Sequence, residues 1–466
     1  MDGRAETRPA VVPMRAKQAG ENEGRWSWVE PSVWTSRMLT ALENGVQGGK
    51  WFSLMDKVYS LRNLHSAFES TKRKKGSAGV DHVTVSRFAS RLEANLEDLS
   101  QGLREGRYRP QAVRRVLIPK PGGREKRPLG VPTVRDRVVQ GALRHVLEPI
   151  FERDFAQHSY GFRPKRNAKD ALRRVTALLD AGYTHVVDAD IASYFDTIPH
   201  EQLMARIGEK VSDGKVLSLV SAFLDQGVLE SGKEWVPDRG TPQGAVLSPL
   251  LSNIYLDPLD QRMAQLGYEM VRYADDFVIL CRSSEEAQKA LAEVQEWTAG
   301  AGLSLHPEKT QIVDATQEGG FDFLGYHFER GMRWPRKKSL KKLRARLREL
   351  TPRCNGNSLQ AIVKRINPTL RGWFEYFKHS HETTFKGIDG WVRGRLRSIL
   401  RKRRRGKGRA RGADHQRWPN EFFGEHGLFS LVEAHALAVS LHRSNHRLES
   451  RMRENRPSGS VGGGAG

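Results

Sequence analysis

The sequence predicts an α+β or α/β core followed by a basic helical region, on three observations. Two β-rich runs, His185–Ile191 and Val271–Cys281, lie among stretches whose apolar residues recur at helical spacing. A Gly/Pro stretch, Gly240–Pro249, falls between them, and alternation of this kind lays helices on a central sheet. Beyond Arg330 the texture turns basic: Arg333–Arg348 holds nine Lys or Arg in sixteen positions, and Arg393–Arg411 holds eleven in nineteen with no acid.

In chain order, residues 1–30 are polar and Gly-containing, the composition of a mobile arm. From Val33 to Phe68 apolar residues return at helical spacing. Lys72–Lys75 with Gly76 and Gly79 reads as a loop. Phe88, Leu92, Leu96, Leu99 and Leu103 mark one face of a single amphipathic helix. Arg114–Pro119 is strand-like, Lys120–Pro128 is a basic turn, and Val134–Leu147 is helical. Asn167 with Asp170 three residues on has the form of a helix N-terminus. Asn367-Pro368 reads as a helix start, with Trp373, Tyr376 and Phe377 following at helical spacing as core packing. Pro457–Gly466 is Gly/Ser-rich and expected to be disordered.

Composition narrows the function. The 466 residues carry 77 Lys+Arg against 54 Asp+Glu, a net charge of +23. About three modules of ordinary size fit that length, and the excess charge calls for a polyanionic partner, nucleic acid first. The two cysteines, Cys281 and Cys354, exclude a disulfide framework and a CxxC zinc site. Apolar runs such as Phe277–Cys281 are too short to span a bilayer, and Met1–Gly20 lacks the apolar stretch of a secretory signal, so no membrane partner is expected. A soluble, cytoplasmic protein is the expectation.

The strongest local signal is Tyr273-Ala274-Asp275-Asp276, two adjacent acids between apolar β-type residues. This reads as a hairpin with carboxylates at its tip; the competing reading is an ordinary Asp-containing turn. Acids among apolar strands are costly without a cation, and hard oxygen donors select Mg²⁺ or Mn²⁺. Asp188 and Asp190, two apart at the end of His185–Ile191, face the same side of a strand. Were that strand beside the hairpin, three carboxylates would converge and could hold two metal ions.

The chain resembles reverse transcriptases, and more closely the reverse transcriptase–maturases of bacterial group II introns. The likeness runs from about Leu61 to His381 through an ordered series of motifs. Leu117–Gly123 with Arg127–Pro132, and Ser159–Pro164, resemble the two fingers motifs. Asp190–Asp196, Gly240–Gly244 with Leu247–Leu250, and Tyr273–Asp276 resemble palm motifs A, B and C. Gly302-Leu303 with Lys309-Thr310 resembles motif D, and Phe323-Leu324-Gly325 the motif after it. Arg365–Phe377 resembles the intron-maturase signature.

The resemblance implies an α+β right-hand polymerase. Its parts would be an N-terminal extension (1–60), fingers (61–182), palm (183–330), a helical thumb/maturase domain (331–411) and a short basic DNA-binding tail (412–466). It implies Asp190, Asp275 and Asp276 as catalytic metal ligands for two Mg²⁺ ions, with the Ile191 carbonyl assisting and Asp188 structural. Phe195 would be the bulky gate that selects dNTPs, Gln243 would line the incoming nucleotide, and Lys309 would protonate pyrophosphate. Lys120, Arg124 and Arg127 would clamp the triphosphate, the alternative being a solvated loop on the template backbone. The implied partners are the intron RNA, a DNA target and primer, and dNTPs, with nucleoid association when target DNA is bound.

Many relatives end in a His-Asn-His endonuclease domain with cysteine pairs, and no cysteine follows Arg411 here. His435, His442 and His446 share helical spacing without a convincing further ligand. Two other readings remain open: a splicing cofactor that no longer polymerises, and a related polymerase co-opted for phage defence.

Overall fold

The computed structural model describes residues 24–46, 48–119, 126–354, 356–406, 408 and 411–441. Lys120, Arg124, His442, His446 and the Pro457–Gly466 segment lie outside the described residues. The chain divides into two compact units, Met1–Ala315 and Thr316–Gly466.

The strands of the first unit are β1 (Val113–Pro119), β2 (Lys126–Val131), β3 (His185–Asp190), β4 (Val228–Glu230), β5 (Lys233–Trp235), β6 (Glu269–Tyr273), β7 (Asp276–Cys281) and β8 (Gln311–Asp314). They form two four-stranded sheets, ordered β2-β1-β4-β5 and β6-β7-β3-β8. Every pairing in the second is antiparallel. Phe277–Cys281 is buried without a break, which explains its continuous apolar run rather than an alternating one.

The long helices of this unit are α1 (Leu61–Arg73), α2 (Leu92–Arg104), α3 (Val134–Glu152), α4 (Ala168–Asp180), α5 (Ser248–Gln265) and α6 (Ser284–Gly300), and α1 packs on both α2 and α3. α6 lies against β3 and β7, while α4 and α5 lie against β6. Asn167 and Asp170 cap the start of α4 reciprocally, as their spacing predicts. α3 is buried on nearly all sides, and its Gly141 approaches Ala67 of α1 so closely that a Cβ there would stand 3.1 Å from the Ala67 methyl.

Two expectations for this unit need correction. The arm read over 1–30 is packed from Gly24 onward, with Trp26 buried in the core and its indole donating to Glu43. The tryptophans outweigh the polar residues around them. The helix read through Phe88 and Leu103 is broken at Ser90-Arg91, between Val85–Ala89 and α2. There the Ser90 hydroxyl donates to the Arg87 carbonyl at 2.8 Å and the Asn95 amide to the Phe88 carbonyl at 2.9 Å, offering the backbone an alternative to continued helix.

The second unit opens with an antiparallel meander, β9 (Phe321–Phe323), β10 (Tyr326–Glu329) and β11 (Met332–Pro335). Three long helices follow, α7 (Lys337–Leu350), α8 (Leu359–Phe377) and α9 (Thr383–Arg403). Leu347, Ile366, Leu370, Phe385 and Leu396 form their shared core, which Trp418, Phe423 and Leu431 also join. The buried Asp389 carboxylate accepts from the Leu431 and Val432 amides at 3.2 Å each, docking the helix that begins there.

Asn367-Pro368 does not start a helix, because Pro368 lies inside α8. The Asn367 side chain is used elsewhere: it donates to the Gly427 carbonyl at 2.8 Å and accepts from the Phe429 amide at 3.0 Å. Phe377 is buried, and the half-buried Trp373 packs on it at 4.7 Å between ring centroids. The half-buried Tyr376 donates to the Leu324 carbonyl at 2.8 Å. No helix among the described residues is long and apolar enough to cross a membrane.

Candidate active site

The site is built where β3 ends beside the β6–β7 hairpin. Tyr273 pairs with Asp276, so Ala274-Asp275 is a two-residue turn, with Ala274 in the left-handed region at φ +62°. A non-glycine residue there must be held by its surroundings. Arg272 does this from a fully buried position. Its guanidinium donates to the Ala274 carbonyl at 2.8 Å, to Asn253 Oδ1 at 3.0 Å and to Asp260 Oδ1 at 2.8 Å.

Burial works against the Arg272 charge, but Asp260 outweighs it and raises the guanidinium pKa. Behind the turn, the Tyr160 amide donates to the Arg272 carbonyl at 2.8 Å, and the Asn253 amide donates to the Gly161 carbonyl at 2.9 Å.

Asp190 stands directly opposite Asp276 in the β3–β7 ladder. Asp188, two residues back, faces Val278 on one side and Gln311 on the other. The segment after α6 folds back onto the end of β3. The His306 amide donates to the Asp190 carbonyl at 2.7 Å and the Ala192 amide to the Ser304 carbonyl at 2.8 Å, with Ile191 buried between them. That return brings Lys309 Nζ to 2.6 Å from Asp190 Oδ2.

The Asp275 carboxyl is held above the ordinary carboxylate pKa. Burial is the first cause, the Asp190 charge adds to it, and Arg272 and Lys309 partly offset it. Among the described residues, no group of three or more Asp, Glu, His or Cys side chains stands gathered to hold a metal ion. The donor chemistry nonetheless suits a hard divalent cation. Two carboxylates, Asp190 and Asp275, repel each other here, and a cationic side chain already sits on one of them.

The motif A and motif B segments meet through backbone. The Thr241 amide donates to the Phe195 carbonyl at 2.6 Å, and a Cβ on Gly240 would stand 2.8 Å from that oxygen. Phe195 is half-buried, edge-on to Tyr194 at 5.5 Å and to Phe162 at 6.4 Å. The Gln243 side chain donates to Asp196 at 3.3 Å, and its carbonyl accepts from the Gly130 amide of β2 at 2.7 Å. Gln140 of α3 accepts from the Val246 amide at 2.8 Å, fixing the rest of the loop. Arg127 is exposed on β2, opposite Ile118.

The sequence reading missed Arg272, Asp260 and Asn253, and held Gly161 only as part of the Ser159–Pro164 motif. One signal was available: an arginine inside the apolar run Met270–Tyr273 needs a buried acid, and only a packed fold supplies one.

A sheet carrying acids at one strand end and on the neighbouring hairpin, walled by a fingers sheet and a motif B loop, defines the polymerases of the right-hand class. Residues 118–328 match the family model described as reverse transcriptase (RNA-dependent DNA polymerase), and residues 340–418 match the group II intron, maturase-specific domain. Protein YkfC of Escherichia coli is 33% identical over 346 residues, covering 66% of this chain and 86% of YkfC. The group II intron-encoded protein LtrA of Lactococcus lactis is 39% identical over 208 residues, 44% of this chain and 34% of LtrA. The chain thus spans about a third of LtrA's length. A solved chain of a Cas6-RT-Cas1–Cas2 complex is 26% identical with a TM-score of 0.35, over 53% of this chain and 41% of its own.

The chain belongs to the reverse transcriptase–maturase family of group II introns. It is a reverse transcriptase that carries a maturase-specific domain.

Proposed function

We propose that the chain copies its group II intron RNA into DNA at a target site and assists the splicing of that RNA. The observation that most supports the chemical half is the placement of Asp190 against Asp276, with Asp275 at the hairpin tip and Lys309 on Asp190. Asp190, Asp275, Asp276 and the Ile191 carbonyl are the groups that would hold Mg²⁺, with Mn²⁺ as the substitute. When bound, a pair of such ions supplies activation of the primer 3′-hydroxyl and charge neutralisation on the leaving pyrophosphate.

The chain's own groups do the rest. Phe195 closes the space beneath the sugar and excludes a 2′-hydroxyl. Gln243, fixed between Asp196 and Gly130, lines the nucleotide. Arg127, with Lys120 and Arg124, neutralises the triphosphate. Lys309 gives a proton to the departing pyrophosphate. The basic helices α7 and α9 supply phosphate contacts for folded RNA.

Primer extension on an RNA template with dNTPs and Mg²⁺ tests the reading. Wild type should extend and Asp275→Ala/Asp276→Ala should not, while both bind intron RNA alike. Equal extension by the two proteins would sink it. Splicing of the intron at low Mg²⁺, with and without the protein, tests the maturase half.

A further inference from the structure

The segment that carries Phe195 and the loop that carries Gln243 are joined along one short seam. The Thr241 amide donates to the Phe195 carbonyl at 2.6 Å, the Gly240 amide donates to the Ile198 carbonyl at 2.8 Å, and Pro199 bridges to Arg239. A Cβ on Gly240 would stand 2.9 Å from the Asp196 carbonyl carbon, so the two strips of backbone are pressed together with no room between them. Those bonds use the amides of Gly240 and Thr241. The Gly240 carbonyl, on a residue at φ +89°, needs a donor from elsewhere.

His200 supplies it. The residue opens the helix His200–Gly208, its side chain is only 15% exposed, and its Nε2 lies 2.7 Å from the Gly240 oxygen. A carbonyl oxygen can only accept, so Nε2 carries the proton and donates. The other ring nitrogen faces Asp225 Oδ1 at 3.7 Å, and the Ser221 hydroxyl donates to Asp225 Oδ2 at 3.1 Å. Leu203 and Ile207 of the same helix are fully buried in the core, so the ring stands on a fixed base. The mechanism above gives it no part.

We propose that His200 is a positioning residue for nucleotide selection: its imidazole holds the Gly240 carbonyl and so sets the spacing between the Phe195 ring and the Gln243 side chain. The assignment rests on the reading of Phe195 as the sugar gate and Gln243 as the lining of the nucleotide. His200 touches neither substrate nor metal on that reading and acts through the loop alone. Loss of one such hydrogen bond is worth about fivefold in an equilibrium.

The test uses the full chain and two variants, with melting temperatures as the check on folding. His200→Leu keeps much of the ring's bulk and removes the donor. His200→Gln carries a side-chain amide that reaches the place of Nε2. Hydrogen exchange over residues 238–244 reads the seam without any catalysis. In His200→Leu the Gly240 and Thr241 amides should exchange about fivefold faster, and His200→Gln should restore their protection. In primer extension His200→Leu should raise the KM for dNTPs by about the same factor with kcat held, and should relax the preference for dNTPs over rNTPs. His200→Gln should recover both.

Wild-type protection of the seam in His200→Leu overturns the proposal. So does a loss that His200→Gln fails to restore, or faster exchange across the whole chain with KM unchanged, which would mark His200 as a core residue. Phe195→Ala separates this idea from the one beneath it. A seam that loosens and recovers as expected, in a protein whose Phe195→Ala variant keeps its sugar preference, upholds the His200 contact and counts against the gate.

Discussion

A Cβ placed on Gly161 would stand 2.8 Å from the Tyr273 carbonyl carbon, so the second fingers motif and the carboxylate hairpin touch backbone to backbone. Gly161 does not have a positive φ; the position needs glycine for space rather than conformation. Gly161→Ala is expected to push the Ala274-Asp275 turn off its position. Overpacking of this kind costs about 1–3 kcal/mol, and primer extension should fall much further than the loss of folded protein explains. Extension at the wild-type rate by a protein of lowered melting temperature would show that the turn tolerates displacement.

The Arg272–Asp260 pair carries the other side of the same turn. Both side chains are almost wholly buried, at 1% and 5% exposure. Removing one partner strands the other, and such losses run to about 3–5 kcal/mol. Asp260→Asn should therefore shift the urea midpoint sharply. The double variant Arg272→Met/Asp260→Leu should recover much of that stability without recovering activity, because the Ala274 carbonyl has lost its donor. Activity returning in step with stability would reduce Arg272 to a core ion pair.

How much of this was legible beforehand depends on the range of the interaction. Local patterns carried the strands: Val271–Cys281 announced itself by apolar run and tip acids, and Asn167 with Asp170 by capping spacing. Side chains that bond back onto the main chain or onto another element did not. Asn95 turning back on Phe88 broke a helix that periodicity joined. Asn367 reached Gly427 and Phe429 while Pro368 sat within a continuing helix. Arg272 depends on Asp260 and Asn253, which lie on another element, and spacing alone cannot express that pairing.

The Asp275 carboxyl gives a pH prediction. Its folded pKa is raised, first by burial and then by Asp190. It therefore binds its proton more tightly folded than unfolded, and stability falls as pH rises through that interval and stays lowered above it. Without divalent ions, Asp275→Asn should melt higher than wild type at neutral pH. The difference should close once pH drops below the ordinary carboxylate value of 3.8. Identical melting curves at neutral pH would mean that the charge at the hairpin tip carries no strain.

Phe195 is fixed by its own carbonyl bond to Thr241 and by two aromatic edges, so truncating it should leave the backbone in place. Phe195→Ala should raise incorporation of rNTPs relative to dNTPs by an order of magnitude or more, an effect of about 1.4 kcal/mol or greater on the ratio. Single-nucleotide extension with each substrate reads the ratio directly. A ratio that stays put removes Phe195 as the gate.

Lys309 makes opposing demands visible in one variant. Its ammonium lies 2.6 Å from Asp190 Oδ2 although it is 59% exposed, so the pair is solvent-screened and readily broken. On the proposed reading, Asp190 would give up that ammonium to hold a divalent cation, and Lys309 would then be free for the pyrophosphate. Lys309→Met removes the cation on Asp190 and, with it, the proposed proton donor. The Mg²⁺ concentration for half-maximal extension should fall, because Asp190 no longer has an internal cation to lose. The rate at saturating Mg²⁺ should fall as well, because the leaving group departs unprotonated. A purely structural lysine would change the two together through loss of folded protein, with no gain in metal affinity. A variant that needs more Mg²⁺ than wild type contradicts the displacement, and one that keeps the full saturating rate contradicts the proton transfer.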